Sequence, residues 1–218
     1  MIARELALAV WVSLKTSGLA ALVASALAVP AALFLSSREF RGKKLVLVIN
    51  QTWMAAPTVV IGLLFYSLLS RNGPLGGLGL LYTQTAMTVG QIFLILPLVV
   101  GFSYTALRQV DRRARTTAIT LGASPRQAGW IVLREARFPL LVAVLAGFAW
   151  AVSEVGVAMM LGGNIRNATR NITTSIALET SKGEFRNGVI LGVLLLVITL
   201  GINVLVQTGL RGRDGDSA

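Results

Sequence analysis

The sequence predicts an all-α integral membrane protein with five transmembrane helices in an N-out/C-in arrangement. Three observations predict it. Only 13% of the 218 residues are charged and 55% are hydrophobic, with a mean hydropathy of +0.74. Soluble domains carry about 25% charged residues, so this chain cannot cover a water-facing surface. Its charge-free runs are long enough to cross a bilayer, and its lysines and arginines are unevenly shared between the segments that join them.

A transmembrane helix needs about 20 mostly apolar residues. Charge-free runs cover 16–37, 45–70, 72–107, 138–153 and 187–210. The third opens with the turn-forming Asn72-Gly73-Pro74, so its span starts later. The fourth is completed by joining it, around Glu154, to the uncharged run from Val155 to Ile165. The spans are therefore expected at 16–36, 45–69, 85–107, 139–161 and 188–210. The first apolar run reaches Leu35, beyond the roughly 7–15 residues of a signal-peptide core, and reads as a retained helix. Residues 1–12 have the alternative of a short interfacial helix before it. Loops 38–44 and 108–137 and the tail from Arg211 hold thirteen of the twenty basic residues. That side is cytoplasmic by the positive-inside rule. The chain shows no internal repeat and reads as one domain, 1–218.

Several chemistries are excluded. The chain has no cysteine and no histidine, which removes disulfides, thiolate or imidazole metal sites and any Ser-His-Asp triad. The net charge of +11 belongs to cytoplasmic loops rather than to a nucleic-acid surface. Gly42-Lys43-Lys44 lacks the upstream glycine and the hydroxyl of a P-loop, so this chain is expected to bind no nucleotide and to be no enzyme.

Segment 108–138 carries the most information. The third helix is expected to continue through Thr116, Thr117, Ala118 and Leu121 and to stop at Gly122, which suits a left-handed terminal position. Ser124 then reads as an N-cap, Pro125 as the first helical residue and Gln127 as its capping-box partner. The small residues Ala118, Gly122, Ala123 and Ser124 allow another backbone to come close, with Arg126 beside them. Two readings stand: a basic amphipathic loop on anionic lipid, or a knob for a cytoplasmic partner.

Thr116-Thr117-Ala118-Ile119-Thr120-Leu121-Gly122-Ala123-Ser124-Pro125 resembles the cytoplasmic loop motif of type I ABC importer permeases, the MetI-like fold. Thr116 stands where that family usually has glutamate, and its later Leu-Pro is replaced by Arg134-Glu135-Ala136-Arg137-Phe138-Pro139. Residues 153–185, with 54–76 and 91–101, are similar to the permeases of tungstate-uptake ABC importers. The resemblance implies a prokaryotic inner-membrane homodimer. It also implies two cytoplasmic ATPase subunits that hold ATP and Mg, and an extracytoplasmic oxyanion-binding protein. The substrate it implies is tungstate, with molybdate or another oxyanion as alternatives.

Glu154 is the one carboxylate inside an expected span, and such residues are costly and often functional. It has three readings: a proton-coupling group of a secondary transporter, a cation site, or a hydrogen-bonding group at a gate. The last is favoured because no basic partner lies in any span. Gly156 and Met160 join it as candidates for the gate or path, with Met159 and Leu161 beside them. Outside, Gly163, Asn164, Arg166, Arg170, Thr173 and Thr174 have the amides, hydroxyls and guanidinium groups that suit an oxyanion. The same segment equally suits contact with a binding protein or a solvated loop. Asn167-Ala168-Thr169 and Asn171-Ile172-Thr173 read as chance glycosylation patterns. Polar residues in spans, among them Asn50, Thr58, Gln91 and Ser103, are expected to bond between helices. Pro30, Pro57 and Pro97 are expected to kink them. The other readings of the whole chain are a proton-coupled carrier using Glu154 and a membrane scaffold without transport.

Overall fold

A computed structural model describes residues 3–211, and the side chains of all of these except 3, 112, 114, 115 and 205–211. The tail expected beyond Arg211 lies outside the described residues. Ten α-helices and one 3-10 turn account for the regular structure among them: α1 (Ala3–Ser37), α2 (Lys43–Met54), α3 (Thr58–Leu69), the turn Gly76–Leu78, α4 (Gln84–Gln109), α5 (Arg112–Thr120), α6 (Pro125–Glu135), α7 (Arg137–Ser153), α8 (Gly156–Gly162), α9 (Ile172–Ser181) and α10 (Phe185–Arg211). Three helices are long and apolar enough to cross a membrane alone, and the number rises to five if each of two bent pairs is one span.

Four expectations change. No separate interfacial helix precedes the first span, because α1 runs unbroken from Ala3. The second expected span is interrupted between Met54 and Thr58, since Pro57 cannot supply the N–H of a continuing helix. Pro30 and Pro97, by contrast, sit inside helices that continue past them. The fourth span is broken at residues 154–155. The third helix ends at Gln109, because Asp111 starts a new one by accepting a hydrogen bond at Oδ1 from Arg113 N–H at 2.9 Å.

The residues fall into two compact units. One holds 1–20, 57–91 and 149–218; the other holds 21–56 and 92–148. In the second, α1 presents Ala28 and Ala32, fully buried one turn apart, and such small residues let helices approach closely. Ala32 packs with Ala106, Leu107, Val132, Ala136 and Leu140, which joins α1, α4, α6 and α7. Lys43 is buried at the turn into α2, where its Nζ donates to Glu39 Oε1 at 2.8 Å and to the Arg38 carbonyl at 3.1 Å. A cavity of about 270 Å³ is lined by Ser36, Glu39, Arg108, Asp111 and Thr116, among others. The 38–44 and 108–137 segments, grouped on one side by their charge, therefore meet.

In the first unit, Val12, Met87 and Ala158 form a core cluster, and α8 lies against α3 and α4. A Cβ on Gly62 would stand 3.1 Å from Met160 Cγ. A Cβ on Gly90 would stand 2.5 Å from both Leu161 Cδ1 and Val157 Cγ1. Val157 is β-branched and cannot turn away freely, so Gly90→Val should destabilise the protein by about 1–3 kcal/mol. A fall in the detergent-solubilised unfolding temperature would measure it. At the N-terminal end of this unit Arg166 pairs with Glu5. Lys15 Nζ donates to Gln84 Oε1 at 3.0 Å, and Gln84 Nε2 donates to the Ala168 carbonyl at 2.7 Å. The segments grouped on the other side by charge thus meet as well.

Candidate functional site

The knob is built by two adjoining caps. Ala123 N–H donates to the Ala118 carbonyl and Gly122 N–H to the Ile119 carbonyl, both at 2.9 Å, with Gly122 at φ +91°. This pair of bonds is the Schellman ending, and it requires the left-handed conformation that glycine adopts without strain. Two residues on, Ser124 N–H donates to Gln127 Oε1 at 2.8 Å and Gln127 N–H donates to Ser124 Oγ at 3.4 Å, a capping box with Pro125 at the first helical position. Helix α5, the glycine turn and α6 are therefore fixed as a unit. Ala118, Ala128 and Val132 face inward. Thr116, Thr117, Gly122, Ser124, Pro125 and Arg126 are exposed, and Ala123 is half-buried. Leu121 at the turn is 82% exposed, and Trp130 in the second turn of α6 is 69% exposed. Trp130 stood in the sequence as a helix residue; only the phase of α6 reveals that it points outward.

The second candidate group lies around the break between α7 and α8. Glu154 is buried, and its Oε1 accepts from Val157 N–H at 3.0 Å, so the carboxylate caps α8. Its main-chain carbonyl accepts from Thr173 Oγ1 at 2.8 Å. Gly156 stands against α3: a Cβ there would lie 2.9 Å from Thr58 Oγ1 and 3.1 Å from Glu154 Oε1. Met160 lies one turn on, half-buried against Gly62. With Met159, Leu63, Tyr66, Tyr82, Gly163 and Ile165 it lines an open concavity of about 590 Å³. The hydroxyls of Tyr66 and Tyr82 meet there at 3.4 Å, and this bond pushes the Tyr82 phenol above its usual pKa.

Most of the outer candidates have partners within the chain. Gly163 and Asn164 turn the chain with positive φ of 67° and 51°. Arg170 Nε donates to Asn164 Oδ1 at 3.1 Å, and Arg166 pairs with Glu5. Thr173 and Thr174 are buried. Thr174 N–H donates to Asn171 Oδ1 at 2.8 Å, and Asn171 N–H donates to Thr174 Oγ1 at 3.1 Å, a capping box that starts α9. Asn171-x-x-Thr174 was a legible helix signal hidden under a glycosylation pattern. Ile172 N–H donates to Ser13 Oγ at 2.9 Å, which ties α9 to α1. No group of three or more acidic side chains able to hold a metal occurs among the described residues.

Helix α9 joins α10 through Gly183, at φ +80°. Lys182 Nζ donates to Glu179 Oε1 at 3.0 Å and Asn187 Nδ2 to Oε2 at 3.3 Å. The hydrogen bond from Lys182 holds the Glu179 carboxyl below its ordinary pKa. A depressed carboxyl contributes stability that is complete above the unfolded value of about 4.3 and is lost as pH falls through the folded value. Thermal unfolding of Glu179→Gln against wild type should therefore show a difference at pH 6 that shrinks as the pH is lowered below the unfolded carboxyl value.

Helices of this length and apolarity define a membrane protein. The chain belongs to the family described as the inner membrane component of binding-protein-dependent transport systems, whose model matches residues 24–211. It is 39% identical over 208 residues to a probable anion ABC transporter permease protein of Haloferax volcanii, with 93% of this chain and 88% of that protein covered. It is 37% identical over 199 residues to the tungstate uptake system permease protein of Peptoclostridium acidaminophilum, with 91% and 87% covered. An amino acid ABC transporter with histidines has the same fold, with a TM-score of 0.68 at 17% identity over 95% of this chain and 94% of that one.

Proposed function

We propose that this chain is the membrane subunit of an ATP-driven importer of an oxyanion, tungstate first and molybdate next. Two copies form the path, two cytoplasmic ATPase subunits bind ATP and Mg, and an extracytoplasmic protein delivers the anion. The N-terminus lies outside and the knob lies in the cytoplasm, on the side where the basic residues gather.

The observation that carries the coupling is the knob itself. It is held by its two caps, is small at the turn, and exposes Leu121 at the turn and Trp130 on α6. The docking reading is supported by these two caps and by the likeness to ABC permeases. The choice of oxyanion rests on likeness to the tungstate permease. The path residues need little affinity of their own, because strong binding inside it would slow release.

The test is purification of the tagged chain from its native membrane, followed by reconstitution with what accompanies it. Recovery of an ABC ATPase at one copy per permease, and ATP-dependent uptake of tungstate into proteoliposomes, are the expected results. A chain recovered alone, with uptake driven by a proton gradient, would overturn the proposal. A binding protein that holds sulfate but neither tungstate nor molybdate would overturn the substrate alone.

A further inference from the structure

Gln91 lies in α4, is fully buried, and carries an Oε1 without a partner among the described residues. Its Nε2 donates to the Ala151 carbonyl at 3.0 Å, with Ser17 Oγ at 3.4 Å. Ala151 is in the last turn of α7, just before the break. In one continuous helix the Ala151 carbonyl would accept from Val155 N–H, and the Ser153 carbonyl from Val157 N–H. Here the Ala151 carbonyl accepts from Gln91 Nε2 and, at 3.4 Å, from Glu154 N–H, while Glu154 Oε1 supplies an acceptor to Val157 N–H. Two side chains therefore bond to backbone groups that a straight helix would use on itself. Glu154 reaches them from within the break, while Gln91 reaches them from a different helix. Thr173 and Ser13 fix the neighbouring chain, through Glu154 O and Ile172 N–H.

We propose that Gln91 is a positioning residue for transport: its amide holds the α7–α8 segment in the broken form, against a continuous form open to the same backbone. The inference rests on the transport function proposed above. The unpartnered Oε1 sharpens it. An unsatisfied buried acceptor is a standing cost, so an apolar residue of equal length at this position would relieve it. What the amide does at this position is then its amino group's bond at the break rather than a gain in stability.

The chain has no cysteine, so a clean label pair can be placed at the exposed positions Trp150 and Met159 as Trp150→Cys and Met159→Cys. Dipolar coupling between spin labels is read in the assembled transporter, in lipid. One continuous helix would separate these positions by about 13.5 Å. Gln91→Met is expected to shift the separation from the wild-type value to the continuous one. It should also lower the maximal rate of tungstate uptake at least fivefold, with the half-saturating concentration unchanged and the unfolding temperature not lowered. Ser17→Ala, which touches only the longer contact, is expected to change neither readout. Gln91→Asn keeps an amide but shortens its reach, and is expected to shift the separation in the same direction. An unchanged separation in both Gln91 variants overturns the proposal, whatever uptake does. A wild-type complex that takes up no tungstate or molybdate overturns the transport reading instead, and the label separations then still decide whether Gln91 holds the break.

Discussion

Replacing Gly122 by arginine is expected to abolish ATP-driven uptake while the chain remains in the membrane. Gly122 sits at φ +91° at the end of α5, and open space surrounds the position where a Cβ would stand. Two effects follow from the change, and they can be separated. Any side chain here strains a left-handed backbone by about 1–2 kcal/mol, which loosens the turn. Only a long charged one also reaches out from the turn into whatever the knob enters. Gly122→Ala therefore carries the strain alone and is expected to keep most of the ATPase bound. Gly122→Arg adds steric exclusion and an unpaired charge at a close contact, and recovery of the ATPase should fall at least tenfold, about 1.4 kcal/mol or more. Membrane insertion, measured by fractionation, should be equal in both. Full uptake by the arginine variant would remove the knob from the coupling route.

The knob was legible in the sequence because its signals are local. Gly122, Ser124, Pro125 and Gln127 each state a backbone preference within one turn of chain, and the structure satisfies each of them. The long helices α1, α4 and α10 were legible for a similar reason, since an uninterrupted apolar run of the right length has few other uses. The breaks were not. Pro57 signalled a kink, yet the same residue type at Pro30 and Pro97 leaves its helix running. What decides between these outcomes is whether neighbouring groups absorb the freed backbone bonds, and that is a matter of tertiary contact. Gln91 was visible only as one polar residue among several in spans. Its contact with Ala151 crosses 60 positions of sequence, a pairing that no periodicity encodes. The partners of the outer segment were not legible. Its hydroxyls and guanidinium groups have the chemistry of an anion site, while Thr174 also builds a helix start, Thr173 bonds to the Glu154 carbonyl, Arg170 holds Asn164 and the exposed Arg166 pairs with Glu5.

Glu154→Leu is expected to lower uptake at least tenfold, while Glu154→Gln keeps more than half of it. The argument starts from what the carboxylate does. Its Oε1 accepts from Val157 N–H at 3.0 Å in a buried site. Leucine leaves that N–H with no acceptor, at a cost of about 1–3 kcal/mol, and releases one of the two clamps on the break. Glutamine offers an oxygen of the same reach and loses only the charge. The uptake of Glu154→Gln should also follow the wild-type pH profile, because the cap needs an acceptor rather than an ionisation. A carrier that moved a proton through this carboxylate would behave in the opposite way: glutamine would stop it as completely as leucine, and the pH profile would change with it. Uptake by the two variants, measured across pH with and without ATP, thus separates a helix cap inside an ATP-driven permease from a proton relay. Glutamine failing together with leucine would return Glu154 to the centre of the chemistry.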